Sequence, residues 1–185
     1  MKQLDIPVRL RRLRKNASVR AMLNETALEP ARLIQPVFLT DGNANEPIES
    51  MPGIERLTIP ALVEKCKVLA SLGVYGIAPF PKTPEDKKSP DGAESFNPEN
   101  LVCRAIRAVK KAVPEMVIFA DIALDPYTTH GHDGVLTADG NDVENDASVE
   151  ILCKMAVENA RAGADFVAPS DMMDGRIGEI RKALD

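Results

Sequence analysis

Two rhythms of apolar residues alternate along the chain. Short unbroken runs at 33–39, 74–80, 116–124 and 165–170 read as buried strands. Between them, stripes at three- and four-residue spacing read as amphipathic helices. These are Leu62, Val63, Cys66, Leu69 and Ala70; Leu101, Val102, Ala105, Ile106 and Val109; Val149, Leu152, Cys153, Ala156, Val157 and Ala160; and Ile177, Ile180 and Leu184. Punctuation agrees with them. Thr58 is placed to cap the first stripe, with Pro60 in its first turn and Gly73 at its end. Asn97-Pro98 reads as a cap and first helical position for the second, which Pro114 stops, and Gly163 closes the third. Residues 1–30 hold only a short possible helix at 18–23. Pro36 lies inside the first strand and removes a ladder donor, which predicts an edge or irregular position. The 17-residue stretch 40–56 is predicted as a long loop, and loops of that length usually have work to do.

Strand and helix thus alternate four times, which implies α/β architecture with a parallel sheet. Four units suffice for an open doubly wound sheet or for half of an eightfold β/α barrel. The Gly-x-Gly-x-x-Gly fingerprint is absent, because Gly131 and Gly134 sit in a loop that does not lead directly into a helix. That weighs against a dinucleotide-binding domain.

Chemistry concentrates at 121–134, which reads Asp-Ile-Ala-Leu-Asp-Pro-Tyr-Thr-Thr-His-Gly-His-Asp-Gly. It leaves the third strand as a loop carrying Asp121, Asp125 and Asp133, and it holds both histidines of the protein, His130 and His132. Carboxylates and imidazoles just beyond a strand's carboxyl end stand where α/β proteins place active sites. A polar loop closed by Asx-turns is the plainer reading. A His-Gly-His pair suits a metal and equally suits a turn held by backbone carbonyls; both readings stay open.

Composition narrows the class. With 185 residues, 44% hydrophobic, the chain can bury a core without disulfides. Aromatics at 4% and no Trp argue against a stacking surface for nucleic acid, and no apolar run approaches a membrane span. No secretory signal is visible, because no apolar segment follows the first charges. Cys66, Cys103 and Cys153 are far apart at apolar helical positions, as expected of reduced core residues in a cytoplasmic protein. The net charge of −5 hides a basic arm. Residues 1–20 carry seven Lys and Arg against Asp5, which leaves the rest strongly acidic. Such an arm could bind phosphate or nucleic acid, direct organelle import, or lie on an acidic neighbouring subunit; the last is favoured.

Four stretches together resemble the delta-aminolevulinic acid dehydratase (porphobilinogen synthase) family: Arg11-Arg12-Leu13-Arg14, Ser50-Met51-Pro52-Gly53, residues 121–134, and Ala168-Pro169-Ser170-Asp171-Met172-Met173-Asp174-Gly175-Arg176. The resemblance implies a (β/α)8 TIM barrel, with residues 1–30 as a subunit-contacting arm and 31–185 as the N-terminal portion of the barrel. It also implies condensation of two 5-aminolevulinate molecules to porphobilinogen in tetrapyrrole synthesis, by a homo-oligomer, an octamer in the full-length enzyme. Asp121 and Ser170 match active-site positions, Asp121 to assist proton movement and Ser170 to hydrogen-bond substrate or a lysine. Family members with catalytic zinc carry cysteines where this chain has Ala123, Asp125 and Asp133. Carboxylates there favour a hard ion such as Mg²⁺ at Asp125 and Asp133, or no ion, and make zinc unexpected. The two Schiff-base lysines of the family belong to motifs expected after Asp185. Lys82, Lys87 and Lys88 read as solvated surface residues, and Asp171 and Asp174 as structural partners of Arg176. A non-catalytic half-barrel or interaction module is the alternative.

Overall fold

The computed structural model describes residues 5–8 and 10–185. Five strands form one parallel array: β1 (Ile34–Thr40), β3 (Glu55–Leu57), β4 (Gly76–Lys82), β5 (Val117–Ile122) and β8 (Phe166–Pro169). The two-residue β2 (Glu46–Pro47) adds antiparallel to β3, giving the order β2-β3-β1-β4-β5-β8. Helices α2 (Ile59–Ser71), α3 (Leu101–Ala112), α4 (Asn145–Ala162) and α5 (Arg176–Leu184) follow β3, β4, β5 and β8 in sequence. A small antiparallel pair, β6 (Val135–Leu136) and β7 (Val143–Glu144), sits between β5 and α4. Near the N-terminus α1 (Ala17–Met22) is exposed along its whole length apart from half-buried Val19.

All four predicted units are present, with three corrections. The first strand is not the end of the sheet: β1 pairs with β4 along its full length and with β3 at Phe38 and Leu39. Pro36 nevertheless lies in the half that has a partner on one side only, so the missing donor is tolerated locally. The stretch 40–56 is not wholly irregular either, because Glu46 and Pro47 pair with Arg56 and Glu55.

The third correction concerns α3. Asn97 closes a short 3-10 turn, and its side-chain oxygen accepts from the Glu99 N–H. The cap is Asn100, a buried residue whose Oδ1 accepts from Cys103 N–H at 2.8 Å while Nδ2 donates to the Ser95 carbonyl at 2.9 Å. Thr58 caps α2 as expected, and Gly163 ends α4 in the left-handed conformation.

The core fills one side of the sheet. Ile118 and Ala120 pack with Leu62, Cys66 and Ile106 beneath α2 and α3, while Ile122 joins Leu152, Met155 and Ile180 beneath α4 and α5. The other face remains partly open. On it Phe38 and Phe80 meet at 5.9 Å between ring centroids, and Phe119 stacks on Phe166 at 4.7 Å. In a closed β/α barrel this face would be the interior.

Candidate active site

Strand periodicity puts the chemistry on that open face. Along β5, Ile118, Ala120 and Ile122 point into the core, so Phe119 and Asp121 point the other way. The register pairs Phe119 with Phe166 and Asp121 with Ala168, which brings Ser170, two residues further, beside Asp121. Ser170 Oγ donates to Asp121 Oδ1 at 2.7 Å. The two residues that the sequence marked as catalytic are thus bonded to each other, at the carboxyl ends of adjacent parallel strands.

The charge environment of Asp121 suits proton transfer. Burial pushes its carboxyl above the ordinary aspartate range; the bond from Ser170 opposes this, and the charges of Asp133 and Asp171 add to it. Asp125 is raised by desolvation and then by Asp121. Asp133 is raised by burial, against the bond that its Oδ1 accepts from Leu124 N–H at 2.7 Å, and further by Asp125 and Asp171. Four carboxylates therefore share one neighbourhood, each making the ionisation of another harder.

Asp171 has its own support. Its buried carboxylate meets Arg176 Nε at 3.0 Å and accepts from Met173 N–H at 2.7 Å. Arg176 also donates to the Met173 carbonyl. Asp174 does not join this pair among the described residues. Its N–H donates to Asn145 Oδ1 at 2.7 Å, and Asn145 Nδ2 returns a bond to the Asp174 carbonyl, tying the loop after β8 to the start of α4.

The loop 125–134 is braced from the other side by Gly134 and Ser148. A Cβ on Gly134 would come within 2.8 Å of Ser148 Oγ, so the chain can pass there only without a side chain. Ser148 Oγ accepts from Val135 N–H and donates to the Glu144 carbonyl. Sequence reasoning missed Ser148 and Asn145, because each ties together segments far apart in the chain, and Asn100, because its local cap competes with the equally plausible Asn97.

Among the described residues, no group of three or more His, Cys, Asp and Glu gathers as a metal cage. Asp125 and Asp133 still offer oxygen donors, the type that Mg²⁺ accepts while keeping most of its waters. His130 and His132 are turn residues: His130 Nε2 lies 3.0 Å from the Pro90 carbonyl, and its Nδ1 faces the His132 N–H. Lys82 and Lys87 are exposed as expected, Lys88 is half-buried, and each is bound to a carboxylate, on Glu46, Asp41 and Glu85 respectively. Cys66 and Cys103 are buried free thiols, pushed up to about 11 by burial.

Comparison with known proteins agrees with this geometry. The family model for delta-aminolevulinic acid dehydratase matches residues 7–185. The chloroplastic delta-aminolevulinic acid dehydratase of Physcomitrium patens is 48% identical over 98% of this chain, which covers 42% of that protein. The Bradyrhizobium diazoefficiens enzyme of the same name is 47% identical over 98% of the chain, which covers 51% of it. The crystal structure of delta-aminolevulinic acid dehydratase (porphobilinogen synthase) from Toxoplasma gondii ME49, in complex with the reaction product porphobilinogen, superposes with a TM-score of 0.96 at 45% identity. This chain covers 52% of that structure and is itself covered to 99%. It spans about half the length of these relatives, and its four units are barrel units of the same fold. The chain belongs to the delta-aminolevulinic acid dehydratase family.

Proposed function

We propose that this chain supplies the acid–base half of a porphobilinogen-forming site, in which two molecules of 5-aminolevulinate condense with loss of water. The observation that carries this reading is the Ser170–Asp121 hydrogen bond at the strand ends, in a chain so similar to a structure that holds porphobilinogen. Asp121 does the proton work. A carboxyl raised by burial and by neighbouring carboxylates keeps its proton to higher pH than a surface aspartate, which suits it to give and take one. Ser170 holds one of its oxygens and fixes the direction of the other. Asp125 and Asp133 would hold a hard cation such as Mg²⁺ with waters completing its shell, and a bound cation would relieve their mutual repulsion and polarise a substrate oxygen.

Covalent capture of the substrate ketone needs an amine, which attacks the carbonyl carbon, releases water and leaves an iminium as electron sink. Within this chain the amines of Lys82, Lys87, Lys88 and Lys110 are already bound to carboxylates. On this reading the Schiff-base lysines lie in sequence outside residues 1–185, and the working unit is a homo-oligomer of the longer chain. No described helix is long and apolar enough to cross a membrane, and the Physcomitrium relative is named chloroplastic. The test co-expresses residues 1–185 with the complementary C-terminal half of the Bradyrhizobium relative and measures porphobilinogen formed from 5-aminolevulinate. Asp121→Asn should lower the rate by about 10²–10⁴-fold, as removal of a general acid–base group does. Undiminished turnover in Asp121→Asn would overturn the assignment.

A further inference from the structure

The loop that carries Asp125 and Asp133 is fastened to the loop after β4. Ser89 N–H donates to the Tyr127 carbonyl, and Thr129 N–H donates back to the Ser89 carbonyl, both at 3.2 Å. Thr128 Oγ1 reaches the His132 carbonyl at 2.8 Å. The imidazole of His130 completes this set. Its Nδ1 lies 3.1 Å from the His132 amide nitrogen, and its Nε2 lies 3.0 Å from the Pro90 carbonyl oxygen. A backbone N–H can only donate, so Nδ1 must be bare. A carbonyl can only accept, so Nε2 must carry the proton. One tautomer satisfies both bonds. Gly131, at φ +74°, makes the turn that lets the ring fold back onto the amide two residues later.

We infer that His130, as the neutral Nε2–H tautomer, is a positioning residue that pins the Asp125–Asp133 loop to the Ser89–Pro90 loop. The pin acts at one end of the segment. At the other end Asp133 bonds to Leu124 N–H, so the loop is closed on itself and anchored sideways at the same time. Loosening His130 frees the turn at Gly131 and lets Asp133 drift from Asp121 and Asp125. This role rests on reading Asp125 and Asp133 as site residues, but its test does not need turnover.

The test compares wild-type chain with His130→Phe, His130→Asn and His130→Gln. Phenylalanine removes both bonds, asparagine keeps an acceptor near the place of Nδ1, and glutamine keeps a donor near that of Nε2. In His130→Phe, amide exchange at His132 should accelerate about tenfold, the loss of one hydrogen bond's protection, while α3 amides are unchanged. His130→Asn should restore protection at His132, and His130→Gln should not. The ¹⁵N spectrum of wild type should show a pyridine-like Nδ1 and a protonated Nε2. The ¹³C shifts of the Asp125 and Asp133 carboxyl carbons should move in His130→Phe and in His130→Asn, which both lose the bond to Pro90, and return toward wild type in His130→Gln. Unchanged exchange at His132 in His130→Phe, or a protonated Nδ1 in wild type, overturns the inference. Absence of porphobilinogen formation by the reconstituted pair would overturn the functional reading and leave these readouts standing.

Discussion

Removing the guanidinium of Arg176 should be among the most damaging single changes near the site. Its Nε lies 3.0 Å from Asp171, whose side chain is fully buried, whereas that of Arg176 is 26% exposed. Arg176→Met keeps much of the apolar stem and takes away the charge, so the buried Asp171 loses its counter-ion. Breaking a buried pair in this way costs about 3–5 kcal/mol; partial exposure of Arg176 lets water help, so about 3 kcal/mol is expected. With a urea slope of about 2 kcal/mol per molar, the unfolding midpoint falls by roughly 1.5 M. Asp171→Asn keeps the acceptor for Met173 N–H and should cost less. The double variant should be more stable than the two single losses combined, with a coupling of about 1–3 kcal/mol. Because the Asp171 charge raises Asp121 and Asp133, Asp171→Asn should also move both of their titrations to lower pH. A loss below about 0.5 kcal/mol in Arg176→Met, with additive single effects, would show that the Asp171–Arg176 pair does not stabilise the fold.

Asn100→Ala should destabilise by about 2–4 kcal/mol, from a lost helix cap and a buried Ser95 carbonyl left unpaired, whereas Asn97→Ala should cost less than about 1 kcal/mol; urea midpoints of the two variants decide, and equal losses would show that the cap is misplaced. Asp121, raised in the fold, binds its proton more tightly there than in the unfolded chain, so its contribution to stability falls as pH rises from the ordinary aspartate range through the raised value. Asp121→Asn should flatten that part of the stability profile and leave the chain more stable at neutral pH, as denaturation across pH 4–8 will show; a steeper profile would contradict it. The sheet ends at β8, where Phe166 is 54% exposed, so residues 1–185 alone should self-associate, and Phe166→Lys should reduce this in sedimentation. A monodisperse monomer with strongly protected β8 amides would contradict that expectation.

Local patterns made the four strand–helix units legible, because buried strands show as short unbroken apolar runs and half-buried helices as stripes of period 3.6. Asp121 and Ser170 were legible only through the motifs around them, and their hydrogen bond depends on the register of β5 against β8, which no local pattern encodes. Asn97-Pro98 misled because a cap followed by proline is a sound local signal. Asn100 wins because a buried side chain there can bond Ser95 and Cys103 together. Pro36 signalled an edge correctly for its own half of β1, while the pairing of Phe38 with Arg56 depends on a three-residue strand too short to show a period. Asp171 was visible as a polar residue in a motif, but its burial against Arg176 comes from the packing of α5.

On the proposed function this chain brings the acid–base pair while the Schiff-base amines lie elsewhere. Borohydride trapping with 5-aminolevulinate, read by peptide mass spectrometry on the reconstituted pair and on residues 1–185 alone, tests it most directly. Adducts are expected on lysines of the supplied C-terminal half and none on residues 1–185 in either sample. A specific adduct on any lysine of this chain would contradict it.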